Sequence, residues 1–396
     1  MIKPLLIISS IFLTLSAFSD GLYSIEISST DLPNATPFTQ DYDNIDALIK
    51  ATEQKNIALT GYTQNSQATI DIMLGNTPAS ISYAQGSTAL VFLVEGCDVN
   101  KTFSGFSRTA NETSFRDYIN NNEEGVLGKI SDCLLEDNPH DPVAIQIREM
   151  AEFGPEFIRK NNLDNKQENF GVGLVAGHFS TGEQSHSILT LPLSYTHYYK
   201  EKGRNLKLTA PISFIDVNGS KAYKISLGAA YTRSMNERWT IIPAARLGIT
   251  ASNDMGTGAT ILSATVTNVY NFPYGDKHIT LANMVGVIKS LDLDIGKFKS
   301  YYDVNNQVIK NGIAVELPQT YRMFGGKTSL QVSLANTQFF GDKINIDNYT
   351  DVAISFGTRR KVSNKDNSQD SIQLGLTYTV GNHGYKGGKL NFGYEF

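Results

Sequence analysis

His178 and Ser180 stand two apart in the run His178-Phe179-Ser180, so on an extended strand an imidazole and a hydroxyl share one face. Such a pair can act as base and nucleophile, provided a third group orients the imidazole. Alternation with Phe170, Val172 and Leu174 places both on the apolar side, and Thr181-Gly182-Glu183 follows without the orienting group that the chemistry needs. Both are therefore read as strand-edge residues, with catalysis as the alternative. His186 and His197 fall on opposite faces of one strand and cannot hold one ion. The chain carries no phosphate-cradling glycine loop and no zinc-binding helix, and no cofactor or metal is expected. A larger constellation is basic: Lys207, Lys224, Arg246, Lys310, Arg322, Arg359 and Lys389 lie on the polar faces of alternating segments, against Glu316, Asp351 and Glu395. Gathered round one lumen, they would favour anions, or pair with the carboxylates and close it.

The elements that must position these groups are strands. From Asn169 onward about twelve segments alternate with period two. In one, Tyr223, Ile225, Leu227, Ala229 and Tyr231 share a face, opposite Lys224, Ser226, Gly228 and Ala230. Another ends the chain, with Leu390, Phe392, Tyr394 and Phe396 opposite Lys389, Asn391, Gly393 and Glu395. Aromatics gather at strand ends, among them Tyr195, Tyr199, Phe214, Tyr231, Trp239, Phe272, Tyr321 and Phe340, as interface girdles require. The connections at 200–204, 234–238, 274–278 and 324–327 are short, whereas 291–306 is long. These features predict an all-β transmembrane barrel of about twelve antiparallel strands over residues 166–396.

Residues 1–19 read as a signal peptide, with Lys3, an apolar run from Leu5 to Leu15, and Ala17-Phe18-Ser19 as the cleavage site. No later stretch is long and apolar enough for a helical span. Residues 20–165 read as a small soluble α+β domain, with a helix at 44–54, strands at 68–74 and 89–94, and a helix opening at Asp141-Pro142. This part holds 22 acidic and 9 basic residues, and residues 166–396 hold 17 and 24, so acidic domain and basic barrel invite docking; the domain, or the helix 142–153 threading the barrel, is one way to close the lumen against its basic charges. The only cysteines, Cys97 and Cys133, lie in the first part without further ligands at metal spacing, and in an exported chain they are expected to form a disulfide.

The run of strands and the ending Gly387-Gly-Lys-Leu-Asn-Phe-Gly-Tyr-Glu-Phe396 resemble the β-domain of bacterial autotransporters, in particular small solitary outer-membrane barrels. The resemblance implies the outer membrane of a Gram-negative cell, lipid and lipopolysaccharide as surroundings, and insertion machinery that reads Leu390, Phe392, Tyr394 and Phe396. The chain departs from ordinary autotransporters in lacking a long repetitive passenger, so fold and membrane are carried over from the resemblance and secretion is not. His178 and Ser180 in turn resemble the arrangement in outer-membrane lipid hydrolases. The expected function is a pore, anchor or translocator without enzymatic activity and without a nucleic-acid partner; a lipid hydrolase or a surface adhesin is the alternative.

Overall fold

The computed structural model describes residues 23–152, 168–291, 302–358 and 371–395, apart from scattered turn positions. The signal segment 1–19, Arg359 and Phe396 lie outside the described residues. Strands β1 (Tyr23–Ser28), β2 (Phe38–Tyr42), β3 (Ala68–Leu74), β4 (Thr77–Tyr83), β5 (Leu90–Val94) and β6 (Val99–Phe103) form an antiparallel sheet in the order β2-β1-β3-β4-β5-β6. Alternation buries Ile25, Ile70, Ile81 and Phe92 on one face. Helices α1 (Ile45–Ala51), α2 (Arg108–Asn120) and α3 (Val126–Asp137) pack against the sheet. Ser107 caps α2 by accepting from the Ala110 amide. The buried Arg108 beside it donates to the carbonyls of Ser66, Ala84 and Ser87 and to Tyr62, pinning the helix to the sheet.

Cys97, in the turn between β5 and β6, is bonded to Cys133 of α3, 36 positions further along the chain. Restricting that loop in the unfolded chain is worth about 2–4 kcal/mol. Reduction should therefore lower the denaturation midpoint of this domain and leave the cysteine-free barrel unchanged, as followed by fluorescence and by heat-modifiable migration.

The second sheet closes on itself. Its strands are β7 (Glu168–Thr181), β8 (Gln184–Leu191), β9 (Leu193–Tyr198), β10 (Arg204–Thr209), β11 (Ile212–Val217), β12 (Ser220–Ser234), β13 (Trp239–Ser252), β14 (Thr257–Tyr274), β15 (Lys277–Leu291), β16 (Asn305–Met323), β17 (Gly326–Gly341), β18 (Asn348–Thr358), β19 (Ser371–Gly381) and β20 (Lys386–Glu395). Pro192 divides β8 from β9 and Pro211 divides β10 from β11, because proline offers no ladder N–H. The two breaks face each other across paired strands, so fourteen strands make twelve spans. The last strand pairs antiparallel with the first, from Lys386 with Ser180 to Glu395 with Gly171, which removes both open edges.

Outside, the wall is apolar. Tyr223, Ile225, Leu227, Val285, Val287, Leu334, Leu376 and Phe392 are all exposed, a disposition that water would penalise and hydrocarbon favours. Within β12, Leu227 is 61% exposed on this belt while Ala230 faces inward, in register with Lys207. An arginine at a lipid-facing mid-strand position costs about 2–4 kcal/mol. At Ala230 it meets only a like charge across the strands, for which the cost is about 0.2–1 kcal/mol. Leu227→Arg should deplete the assembled, heat-modifiable barrel, and Ala230→Arg should assemble close to wild type.

The two ends of the barrel differ. At one end β7 begins and β20 finishes, alongside the four short turns and the connection 359–370. The other end carries the connections 292–304 and 342–347, and there the first domain docks. Ser220 donates to the Asp43 carbonyl and Asn44 to Asp254; Asn345 donates to the carbonyls of Glu136 and Asp137.

Candidate functional site: a helix inside the barrel

From the docked domain the chain turns into the lumen as α4 (Pro142–Met150). Asp141 caps it, its Oδ1 accepting from the Val143 and Ala144 amides at 2.7 and 3.3 Å while Oδ2 accepts from Tyr302 at 2.9 Å. Pro142 occupies the first turn, where its missing N–H is no loss. Residues 142–148 and Met150 are all buried, so the helix is enclosed on every side. Twelve strands at ~4.8 Å spacing and ~40° tilt give a backbone diameter of roughly 24 Å, and lining side chains leave roughly half of it. One helix of about 10–12 Å fills that space.

Small wall residues make room for it. A Cβ at Gly248 would collide with the Gln146 amide and the Met150 methyl, and Ser263 donates to the Met150 sulfur. The helix C-terminus, with its partial negative charge, points into the basic lining. Lys224 pairs with Glu149, and Arg246 donates to the Glu149 carbonyl at 3.2 Å. Lys389 pairs with Glu152, and Tyr349 donates to the Arg148 carbonyl at 3.3 Å. Two pairs stay within the wall, Lys310 with Asp351 at 3.4 Å and Lys207 with Glu395 at 3.9 Å. Beside the helix remains a cavity of about 370 Å³, bounded by Gly173, Lys207, Gly228, Gly375 and Glu395 among others.

Towards the docked domain the clamp is aromatic. His140, just before α4, meets His186 of β8 with their Nδ1 atoms 2.6 Å apart, so one ring donates and the other accepts. Phe179 stacks on His186 at 5.0 Å and on Tyr385 at 5.4 Å, and the Arg148 guanidinium lies 5.0 Å over the Tyr385 ring while donating to the Pro139 carbonyl. Burial, with Arg148 nearby, lowers the His140 imidazole to about 3.

Of the basic residues singled out in the sequence, Lys207, Lys224, Arg246, Lys310 and Lys389 are thus gathered round the lumen, with Asp351 and Glu395. Glu316 is half-buried with inward parity in register with Gln331, which lines the cavity, although Glu316 itself does not. Arg322 does not join them. It follows a register shift after Pro318 and is exposed at the strand end. The acidic partners Glu149 and Glu152 sit on the helix that the sequence offers as one way to close the lumen, but which lining cations they meet, and the place of His140, carry no signal in the sequence.

His178 is exposed on the outer wall, and the hydroxyl it meets is that of Ser187, 3.1 Å away. Ser180 is not its partner, since residues two apart on a strand are separated by roughly 7 Å, whereas cross-strand partners lie about 4.5–5.5 Å apart. Asp216, next in register, lies beyond Ser187 rather than on the imidazole and accepts from Gly219. Among the described residues no acid orients His178, so the imidazole and hydroxyl do not form a triad.

Fold and lumen together define an outer-membrane β-barrel filled by a helix of its own chain. No family model matches the sequence, and no curated protein matches it. Among solved structures the barrel is similar to the translocator domain of the autotransporter NalP from Neisseria meningitidis, at 12% identity and TM-score 0.46, over 66% of this chain and 99% of that one. It is similar also to the β-domain of the Bordetella autotransporter BrkA, at 10% identity and TM-score 0.45 over 58% and 99%. An outer membrane channel from Pseudomonas putida F1 aligns at 15% identity and TM-score 0.38 over 60% and 98%.

Proposed function

We propose that the protein is a self-plugged outer-membrane anchor that carries its own N-terminal domain through the barrel and holds it at the outer mouth. The path of the chain supports this. The domain docks at one end, β7 begins at the other, and α4 lies inside the lumen between them. Short turns and the barrel termini belong on the periplasmic side and the longest connection outside. The connection 359–370 lies with the short turns, but the longest, 292–304, is at the end where the domain docks, and this supports a domain on the cell surface. The lining charges then serve to seat the helix and seal the wall after passage, rather than to conduct. An epitope placed at the exposed Glu123, between α2 and α3, should be accessible to antibody on intact cells. Staining only after outer-membrane permeabilisation would sink the proposal.

A further inference from the structure

The outer wall carries two arginines directly opposite one another, close to the end where the barrel termini lie. Arg204 of β10 is in register with Arg233 of β12. Both face outward. Asn205 of β10 is buried and Lys207 reaches Glu395 in the lumen, so Arg204 alternates with Leu206 and Leu208 on the outside. On β12, Arg233 continues the outward row of Leu227, Ala229 and Tyr231. Like charges directly opposed across a ladder repel. Arg204 touches Glu201 of the adjoining turn, while Arg233 is exposed and makes no ion pair among the described residues.

Aromatic rings frame the pair. Tyr199 and Tyr231 meet edge to face at 6.0 Å, and Tyr231 is two residues from Arg233 on the same face. Trp239 of β13 is the diagonal neighbour of Arg233, whose register partner is Ile241. Rings of this kind lie at headgroup depth, so the two guanidinium groups stand where lipid phosphates are.

We propose that Arg204 and Arg233 clamp the phosphate of an anionic phospholipid whose upper chain and glycerol rest on Tyr199, Tyr231 and Trp239. Two guanidinium forks match phosphate oxygens and relieve their mutual repulsion by sharing an anion. A net-negative headgroup is preferred to a zwitterionic one, whose own cation would meet the arginines. The site requires only that the barrel be in a bilayer, so it stands or falls independently of surface display.

Trp239 is the only tryptophan of the chain and reports on this position directly. The full-length protein would be reconstituted in phosphatidylcholine vesicles containing a minor fraction of dibrominated lipid, either phosphatidylglycerol or phosphatidylcholine, and contact quenching of Trp239 compared. Brominated phosphatidylglycerol should quench as if locally enriched by roughly fivefold or more, given two basic side chains at the surface. Arg204→Gln with Arg233→Gln should remove the preference without changing quenching by brominated phosphatidylcholine, and the corresponding double lysine variant should keep part of it. Arg233→Gln alone should lower it, which retains the test if the double variant assembles poorly. Equal quenching of the wild type by the two lipids, or an undiminished preference in the glutamine variants, would overturn the clamp. Loss of the wild-type preference on adding inorganic phosphate would overturn it as a lipid site in favour of a small-anion site.

Discussion

Glu149→Lys combined with Glu152→Lys is expected to turn a closed barrel into a conducting one. Lys224 is almost fully buried against Glu149, and removing one member of a buried pair costs about 3–5 kcal/mol because the other charge is left unpaired. The substitution does more than remove the partner. It sets two further cations against Lys224, Arg246 and Lys389, so the seated helix would face repulsion where it now meets attraction. Gly248→Phe attacks the same contact by volume, since the space beyond Gly248 is already filled by Gln146 and Met150, while Gly248→Ala asks only for small side-chain movements. In planar bilayers the wild type and Gly248→Ala should remain quiet, and the charge-reversed and Gly248→Phe proteins should show channel steps. Silence from all four, with heat-modifiable barrels, would mean that α4 is not what closes the lumen.

Acidification should loosen the docked domain, and His140 should account for the change. Its imidazole is held at about 3 in the docked state, against an ordinary 6.5. The undocked state therefore binds more protons throughout that interval. Docking is strongest above the ordinary value and weakens by about 1.4 kcal/mol for each pH unit below it, until the docked form itself titrates. Between neutrality and pH 4.5 the loss is roughly 2–3 kcal/mol. The groups facing His140 cannot absorb the new charge, being His186, the Tyr385 ring and the Arg148 guanidinium, with His178 and Lys389 further off. Asp141 works in the opposite sense. Burial raises its carboxyl, so its docked form gains a proton first as pH falls. Comparison with His140→Phe separates the two, because Asp141 is common to both proteins. Limited proteolysis at the 302–304 and 342–347 connections should increase in acid for the wild type and much less for the variant. Identical acid profiles would remove His140 from the account.

The barrel is legible in the sequence because each of its strands repeats one physical instruction. In Tyr223 to Tyr231 every second side chain suits lipid, and the wall exposes Tyr223, Ile225 and Leu227. Strand β3 and the opening of α4 at Asp141-Pro142 are likewise plain from alternation and capping. Helix α2 is not, since it buries chiefly Arg108, Asn111 and Tyr118 and so lacks an apolar stripe with helical spacing. The lumen can be read only from one side. Period-two parity turns Lys224, Arg246 and Lys389 inward, whereas the acidic side chains that meet them belong to another element, and pairing between elements leaves no periodic trace. His178 with Ser180 misleads for a related reason: a shared face along a strand is not contact, and the nearer neighbour is across the ladder at Ser187.

The bond between Cys97 and Cys133 has a consequence for the order of events in export. The six-stranded sheet, at ~4.8 Å per strand, is roughly 24 Å across and cannot pass a lumen that one helix fills. If the domain leaves through the barrel, it leaves unfolded, as a single thread. Once the bridge has formed, residues 97–133 would have to travel as a closed loop, two strands abreast. Oxidation is then a ratchet: performed outside, it makes exit irreversible, and performed too early in the periplasm, it strands the domain on the wrong side of a finished wall.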